Sequence, residues 1–268
     1  YNLNGGTNNS SNPSTYNVLY GVTFSNPTKA GYDFLGWYDA NGNKITGINE
    51  GCNATFSDTA DLYSKLKTRK TGNVSITAKW TPINYIISYN LNGGTANNKT
   101  SYTIETEKFT LNAPTKKGYR FLGWTDSNGT TAQKSVSIDK GTTGNKSYTA
   151  NWTPINYTIT YNLDGGTANN KTSYNIETAT FTLSNPTKNG YVFVGWTGSN
   201  GTTPQKTVSI AKESTGNKSY TAVFEKIIYT ITTSKAGSGA ISNSCIVSYA
   251  NDNSIFITPA QGYVTSSL

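Results

Sequence analysis

Apolar and polar residues alternate in short runs along this chain, and the same runs keep returning. In Tyr-Thr-Ile-Thr-Tyr-Asn-Leu, residues 157–163, Tyr157, Ile159, Tyr161 and Leu163 share one face, and Thr158, Thr160 and Asn162 share the other. A period of two predicts a strand in a sheet with one wet face. Asp164-Gly-Gly-Thr follows it, and Asn4-Gly-Gly and Asn92-Gly-Gly stand at the matching places. Asn-Gly and Asp-Gly supply the positive φ angles of a tight hairpin turn. The Gly-Gly pair opens no helical pattern, so it reads as a turn and not as a phosphate cradle. A second strand is predicted around Ser173-Tyr-Asn-Ile-Glu-Thr, then Phe181-Thr-Leu, then the turn Pro-Thr-Lys-x-Gly. In that turn Pro fixes φ and Gly permits the reversal. The strand Tyr-x-Phe-x-Gly-Trp comes next, then an Asn-Gly turn, Val208-Ser-Ile, a Gly-rich stretch and a last strand, Ser219-Tyr-Thr-Ala-Val-Phe.

The centre of this pattern occurs at residues 27–37, 114–124 and 186–196, with a fragment at Pro259-Ala-Gln-Gly-Tyr. Residues 89–152 and 161–224 align without a gap at an offset of 72. Self-similarity at a fixed period predicts a tandem array. The predicted units are repeat 1 at 1–80, with an insertion near 47–69; repeat 2 at 85–152; repeat 3 at 157–224; and a divergent, truncated repeat 4 at 229–268. In the insertion, Ser57 or Asp58 caps a helix start, Lys65, Lys67 and Arg69 suit its end, and Leu62 and Leu66 share a face. This is the one short helix predicted. The joins are Thr-Pro-Ile-Asn at 81–84 and 153–156 and Glu225-Lys-Ile-Ile. Four residues span at most about 14 Å. The units are therefore expected nearly end to end, as an elongated rod, with Pro stiffening two of the joins. The chain opens and closes inside a repeat, so it is expected to be a segment of a longer protein, with an unpaired edge where the first half of its opening strand is missing.

In the central strand, strict alternation puts Tyr119, Phe121 and Gly123 on one face and Arg120, Leu122 and Trp124 on the other. Both faces are mostly apolar, so burial on both sides, or cover at a join, is expected. The expected structural core is Tyr32, Phe34, Trp37, Tyr119, Phe121, Trp124, Tyr191, Phe193 and Trp196. The competing reading makes the tryptophans a sugar-stacking platform, which requires exposed rings. Composition supports the first: only 34% of residues are hydrophobic, and 19 Tyr, 9 Phe and 5 Trp carry much of that content. Small cores built from a few large rings suit β structure with many turns.

His is absent, which removes Ser-His-Asp and Cys-His nucleophile pairs and His metal ligands. The 14 carboxylates show no spacing that points to a glycosidase pair, and no enzyme is expected. Asp39-Ala-Asn-Gly-Asn and Asp126-Ser-Asn-Gly look faintly like calcium loops, but they lack the run of ligands and the closing Glu. They read as turns, and no metal or cofactor is expected. The net charge of +8 would suit nucleic acid, anionic glycans, wall polymers or lipid head groups. The lysines are nevertheless spread through every repeat, and the only arginines are Arg69 and Arg120, so neither nucleic-acid binding nor membrane insertion is expected. Cys52 and Cys245 fall in the first and last repeats, too far apart in a linear array to bond. No signal peptide, membrane span or anchoring signal is read.

The Tyr-Asn-Leu-Asn-Gly-Gly-Thr opening, the Pro-Thr-Lys-x-Gly-Tyr-x-Phe-x-Gly-Trp centre and the Tyr-Thr-Ala-x-Trp close resemble the Listeria–Bacteroides repeat, also called the internalin B-type B repeat. The resemblance covers residues 1–224 three times, and the tail from Tyr229 looks like a divergent relative. It implies mainly-β, β-grasp-like small units, without catalytic residues, in secreted or wall-attached proteins of mostly Gram-positive bacteria. There the units act as stalks, spacers and sometimes adhesive modules. The expectation is a monomeric, non-catalytic repeat region of an extracellular, cell-wall-attached surface protein, serving as a stalk and in adhesion to host or matrix. The alternative is a glycan-binding accessory module of a secreted carbohydrate-active protein. The unrepeated insertion supplies the candidate partner-binding residues Asp61, Tyr63, Lys65, Lys67 and Arg69, facing a host-surface protein or glycan. Surface stalks of other kinds carry Lys-Asn or Lys-Asp cross-links, but the sequence identifies none here.

Overall fold

The computed structural model describes residues 1–17, 21–48, 71–234, 239–250 and 257–264. The chain divides into two compact units, Tyr1–Lys116 with Phe121–Trp152, and Lys117–Arg120 with Thr153–Leu268. In the first unit, repeat 1 forms β1 (Val22–Thr23), β2 (Tyr32–Tyr38), β3 (Lys44–Ile45), β4 (Gly47–Ile48) and β5 (Thr77–Pro82). Repeat 2 forms β6 (Tyr85–Asn90), β7 (Ser101–Tyr102), β8 (Phe109–Thr110), β9 (Tyr119–Asp126), β10 (Gly129–Gln133), β11 (Ser137–Ile138) and β12 (Lys146–Pro154). Its main sheet runs β10-β9-β12-β6-β7, and β8 and β11 make a separate ribbon. The first and last strands of the repeat, β6 and β12, are parallel neighbours, with Ile87 opposite Lys146 and Asn90 opposite Thr149. The core gathers Ile87, Trp124 and Tyr148 from the sheet with Leu111, Val136 and Ile138 from the ribbon and its flanks.

In the second unit, repeat 3 copies this plan with β13 (Tyr157–Asn162), β14 (Ser173–Tyr174), β15 (Phe181–Thr182), β16 (Tyr191–Gly198), β17 (Gly201–Gln205), β18 (Ser209–Ile210) and β19 (Lys218–Lys226). The order is β14-β13-β19-β16-β17, with β15 and β18 as the ribbon. The tail forms β20 (Ile228–Ile231), β21 (Gly239–Ile241), β22 (Cys245–Ser248) and β23 (Ile257–Pro259), paired as β20-β22 and β21-β23.

The described residues are β-structured, as expected, and no helix occurs among them. The helix predicted in the insertion, from Ser57 or Asp58 to Arg69, lies outside the described residues. The β-grasp-like expectation is corrected for repeats 2 and 3: the apolar face of the sheet meets a two-stranded ribbon where a β-grasp unit would lay a helix. The sequence there explains it. Thr103, Thr106, Pro114 and Gly118 interrupt the stretch between β7 and β9, and no apolar period of 3.6 survives.

Two local devices set the sheet. The first is the Asn-Gly turn, whose φ angles are 47° and 81° at Asn4-Gly5, 47° and 80° at Asn92-Gly93, and 49° and 78° at Asp164-Gly165. Positive φ at both central residues is the type I′ requirement. The lysine of Pro-Thr-Lys fastens this turn: Lys29 Nζ donates to Asn4 O at 3.0 Å and Lys116 Nζ to Asn92 O at 2.9 Å. The Asn92 side-chain amide also donates to Ala150 O at 2.9 Å. Asp164 has no N–H to donate there, and instead its carboxylate pairs with Lys188 at 2.9 Å. Part of the basic charge is thus spent on turns.

The second device corrects the reading of the central strand. Phe193 stands opposite Phe224 and Gly195 opposite Val223, so Val194 is an extra residue; in repeat 1, Leu35 is extra in the same way. A bulge of one residue shifts the phase of alternation. It turns Trp37, Trp124 and Trp196 inward beside Phe34, Phe121 and Phe193. The opposite face is not covered: Leu35 is 44% exposed and Leu122 39%.

Candidate functional site

The aromatic residues of the central strand make the core of each repeat. Trp37, Trp124 and Trp196 are 1%, 0% and 0% exposed. Phe34, Phe121 and Phe193 meet them edge to face, with ring centroids 5.5, 5.4 and 5.5 Å apart. The closing ring of each repeat packs on the same phenylalanine, Trp80 at 5.3 Å, Trp152 at 5.5 Å and Phe224 at 5.7 Å. Trp80 and Trp152 donate Nε1–H to Leu3 O and Leu91 O, both at 3.0 Å; Phe224 has no such donor. Tyr89 stacks on Tyr148 and Tyr161 on Tyr220, at 6.1 Å each. Burial pushes the phenols of Tyr89 and Tyr161 up to about 12. No ring among these tryptophans of the central strand is open to a sugar face.

Tyr32 and Tyr119 are only half-buried, and they work at joins between repeats. In the first unit, the join following β5 closes when Ile83 N donates to Gly31 O at 3.0 Å. The bare α-carbon of Gly31 receives Ile104: a Cβ built there would lie 2.6 Å from Ile104 Cδ1. Tyr32 Oη donates to Glu105 Oε1 at 2.8 Å, and that bond pushes the Tyr32 phenol up. In the second unit, Ile155 N donates to Gly118 O at 2.9 Å, Ile176 lies against Gly118, and Tyr119 Oη donates to Glu177 Oε1 at 2.8 Å. Again in the second unit, Ile227 N donates to Gly190 O at 2.9 Å and Tyr249 covers Gly190. The Gly-Tyr pair of Pro-Thr-Lys-x-Gly-Tyr is thus a socket, and Ile-Glu (Ile104-Glu105 and Ile176-Glu177) is its plug. Sequence reasoning missed this. The only signal was that each Gly-Tyr is followed, one unit later, by an Ile-Glu or a tyrosine.

The Asp39 turn spends its carboxylate on its own backbone: Asp39 Oδ1 accepts from Asn41 N and Asn43 N, both at 2.9 Å. Asp126 Oδ2 accepts from Thr149 Oγ1 at 2.6 Å. Among the described residues no group of His, Cys, Asp and Glu gathers to hold a metal, and no helix is long and apolar enough to cross a membrane. Cys245 is half-buried with a free thiol, and Cys52 lies outside the described residues. The candidate partner-binding residues Asp61, Tyr63, Lys65, Lys67 and Arg69 also lie outside them. Repeat 1 carries one further feature, a cavity of about 890 Å³ lined by Tyr1, Tyr16, Phe24, Ile48, Val74 and Ile76 among others.

A unit of mixed five-stranded sheet and ribbon, copied in tandem and joined by a Gly-Tyr socket, defines a repeat protein. The chain belongs to the Listeria-Bacteroides repeat domain family, whose model matches residues 1–65, 85–150 and 157–223. It is 27% identical over 198 residues to a presumed membrane protein of Evansella cellulosilytica, an alignment covering 71% of this chain and 27% of that one. It is 34% identical over 84 residues to Internalin H of Listeria monocytogenes, covering 31% of this chain and 15% of that protein. The chain thus spans about a quarter or less of the length of these curated relatives. No solved structure matches it.

Proposed function

We propose that these repeats are a non-catalytic spacer in an extracellular protein of a bacterial surface, holding another domain away from the cell wall. The observation that carries this reading is the join. A link of four residues is tied by a backbone hydrogen bond and filled by a side chain of the following repeat, as at Ile83, Gly31 and Ile104. Such a join costs little entropy to hold and limits swivelling, which suits a stiff, elongated rod better than a set of loosely tethered beads. The similarity to Internalin H of Listeria monocytogenes supports a surface location. Small-angle X-ray scattering of the whole chain tests it. A long, narrow distance distribution is expected, and a compact globe would overturn the proposal.

Adhesion to a host protein or glycan is the second role, and it rests on the insertion, the one stretch of the first three repeats with no counterpart in the other two. Deleting residues 51–69 is expected to abolish saturable binding to cells or matrix and to leave the scattering curve unchanged. A glycan-binding module draws no support from the tryptophans of the central strand, whose rings are closed to solvent.

A further inference from the structure

In repeats 2 and 3 the chain enters on one strand and leaves on its neighbour. β6 opens repeat 2 and β12 closes it; β13 opens repeat 3 and β19 closes it. Only Ile155 and Asn156 separate β12 from β13. The two terminal strands of each repeat pair in parallel, Ile87 to Asn90 against Lys146 to Thr149, and Ile159 to Asn162 against Lys218 to Thr221. Tension along the chain therefore draws the opening strand toward its own N-terminal end and the closing strand toward its C-terminal end. Parallel neighbours drawn in this way must slide past one another. The evenly spaced bonds of a parallel ladder then share the force and fail together. An antiparallel pair pulled apart at one end opens one bond at a time.

Side chains lengthen this ladder. At its entry end, Ile86 N–H donates to Asn145 Oδ1 at 2.9 Å in repeat 2, and Thr158 N–H to Asn217 Oδ1 at 3.0 Å in repeat 3. The hydroxyls of Ser88 and Thr160 donate to Lys146 O and Lys218 O at 3.3 and 3.4 Å. At the far end the two repeats part. In repeat 2, Trp152 Nε1–H donates to Leu91 O at 3.0 Å, and the Asn92 side-chain amide to Ala150 O at 2.9 Å. Both bonds run between β12 and the residues that follow β6. The counterparts in repeat 3 are Phe224 and Asp164. Phenylalanine has no N–H, and the Asp164 carboxylate can only accept, which it does from Lys188 at 2.9 Å. Repeat 2 thus ties its terminal strands with two hydrogen bonds that repeat 3 lacks. The ring stacking across the two strands is the same in both, 6.1 Å for Tyr89 on Tyr148 and for Tyr161 on Tyr220.

We propose that repeats 2 and 3 are shear clamps, force-bearing units that stay folded when the chain is under tension, and that repeat 2 withstands more force than repeat 3. The use of such a clamp rests on the spacer reading, since a spacer on a cell surface transmits pull between its ends. The clamp and the spacer can fail separately, because scattering reads shape and pulling reads resistance. That resistance is a barrier to unfolding, a different quantity from equilibrium stability.

The test stretches the whole chain between handles at its two ends and records the force of each unfolding event. Repeats 2 and 3 should each release about 200 Å of chain, so their events match in length. In the parent chain one of the two is expected at the higher force. Asn92→Asp with Trp152→Phe installs the residues that repeat 3 already uses at those places, and should bring the higher event down to the level of the lower. Asp164→Asn with Phe224→Trp should raise the lower event to the level of the higher. Ile138→Val, in β11 and outside both terminal strands, should lower the melting temperature and leave both forces nearly unchanged. Equal forces in the parent chain, a higher event that Asn92→Asp with Trp152→Phe does not move, or forces that simply follow the melting temperature through all the variants would each overturn the proposal. The repeat 2 pair alone decides the matter if the repeat 3 pair fails to fold.

Discussion

At the scale of single residues, the three central tryptophans differ by one hydrogen bond. Trp37 donates Nε1–H to Ser25 O at 3.2 Å, whereas Nε1 of Trp124 and of Trp196 is buried without an acceptor among the described residues. A buried donor left unpaired offsets part of what the ring contributes by packing. Trp124→Ala should therefore cost about 3–5 kcal/mol, and Trp124→Phe, which removes the orphan N–H together with part of the ring, only about 1–2 kcal/mol. Urea denaturation of both variants checks the ratio. The stacked tyrosines give a pH dependence. Tyr89 and Tyr161 hold their protons up to about 12 in the folded protein, chiefly through burial and then through the neighbouring Tyr148 and Tyr220, against an ordinary value of 10.0. A folded value raised above the unfolded one contributes stability that is complete below the unfolded value and is lost as pH climbs through the folded one. Repeats 2 and 3 should lose stability between pH 10 and about 12, with phenolate absorbance rising in the same window as the structure melts. A denaturation midpoint that stays flat across that window would contradict the assignment.

At the scale of elements, the bulge in the central strand decides which way the tryptophans point. Gly123 has φ 144°, and a Cβ there would lie 2.5 Å from the backbone nitrogen of Gln133 in β10. Backbone cannot move aside as a side-chain tip can. Gly123→Ala should cost about 2–4 kcal/mol, from strain and lost pairing together. At Gly36 the nearest atom is the flexible end of Lys44, so Gly36→Ala should cost about half as much or less. Calorimetric melting of the two variants measures the difference. These positions also mark where the sequence ceased to be readable. The period of two in 157–163, the Asn-Gly turns and the aromatic content are local signals, and the strands, turns and ring-built cores follow from them. The phase shift at Leu35 and Val194 is not local, because the extra residue is defined only against the partner strand. The ribbon was hidden for the same reason: β8 and β11 meet only after the chain has passed through β9 and β10.

At the scale of the whole molecule, the question is whether the repeats unfold as separate beads or as coupled neighbours. Stability in a tandem array is close to a sum of repeat terms and nearest-neighbour terms. The neighbour term between repeats 1 and 2 is concentrated in a few atoms of the first unit: Ile104 against Gly31, Tyr32 Oη on Glu105 Oε1, and Ile83 N on Gly31 O. Ile104→Ala removes the plug without touching the core of either repeat, since Ile104 stands outside the buried cluster of repeat 2. The expected loss is about 1–2 kcal/mol, carried by the join alone. Hydrogen exchange followed by mass spectrometry reads it directly. In the parent chain the Ile83 amide should exchange slowly, because it opens only when the join does. In Ile104→Ala it should exchange faster by about tenfold, the factor that 1.4 kcal/mol represents, while amides of β9 and β12 keep their protection. Tyr32→Phe, which deletes only the hydroxyl, should give a smaller acceleration in the same place. If Ile83 exchanges at the same rate in all three proteins, the short covalent link alone holds the repeats together, and the Gly-Tyr socket contributes nothing to the stiffness that a spacer needs.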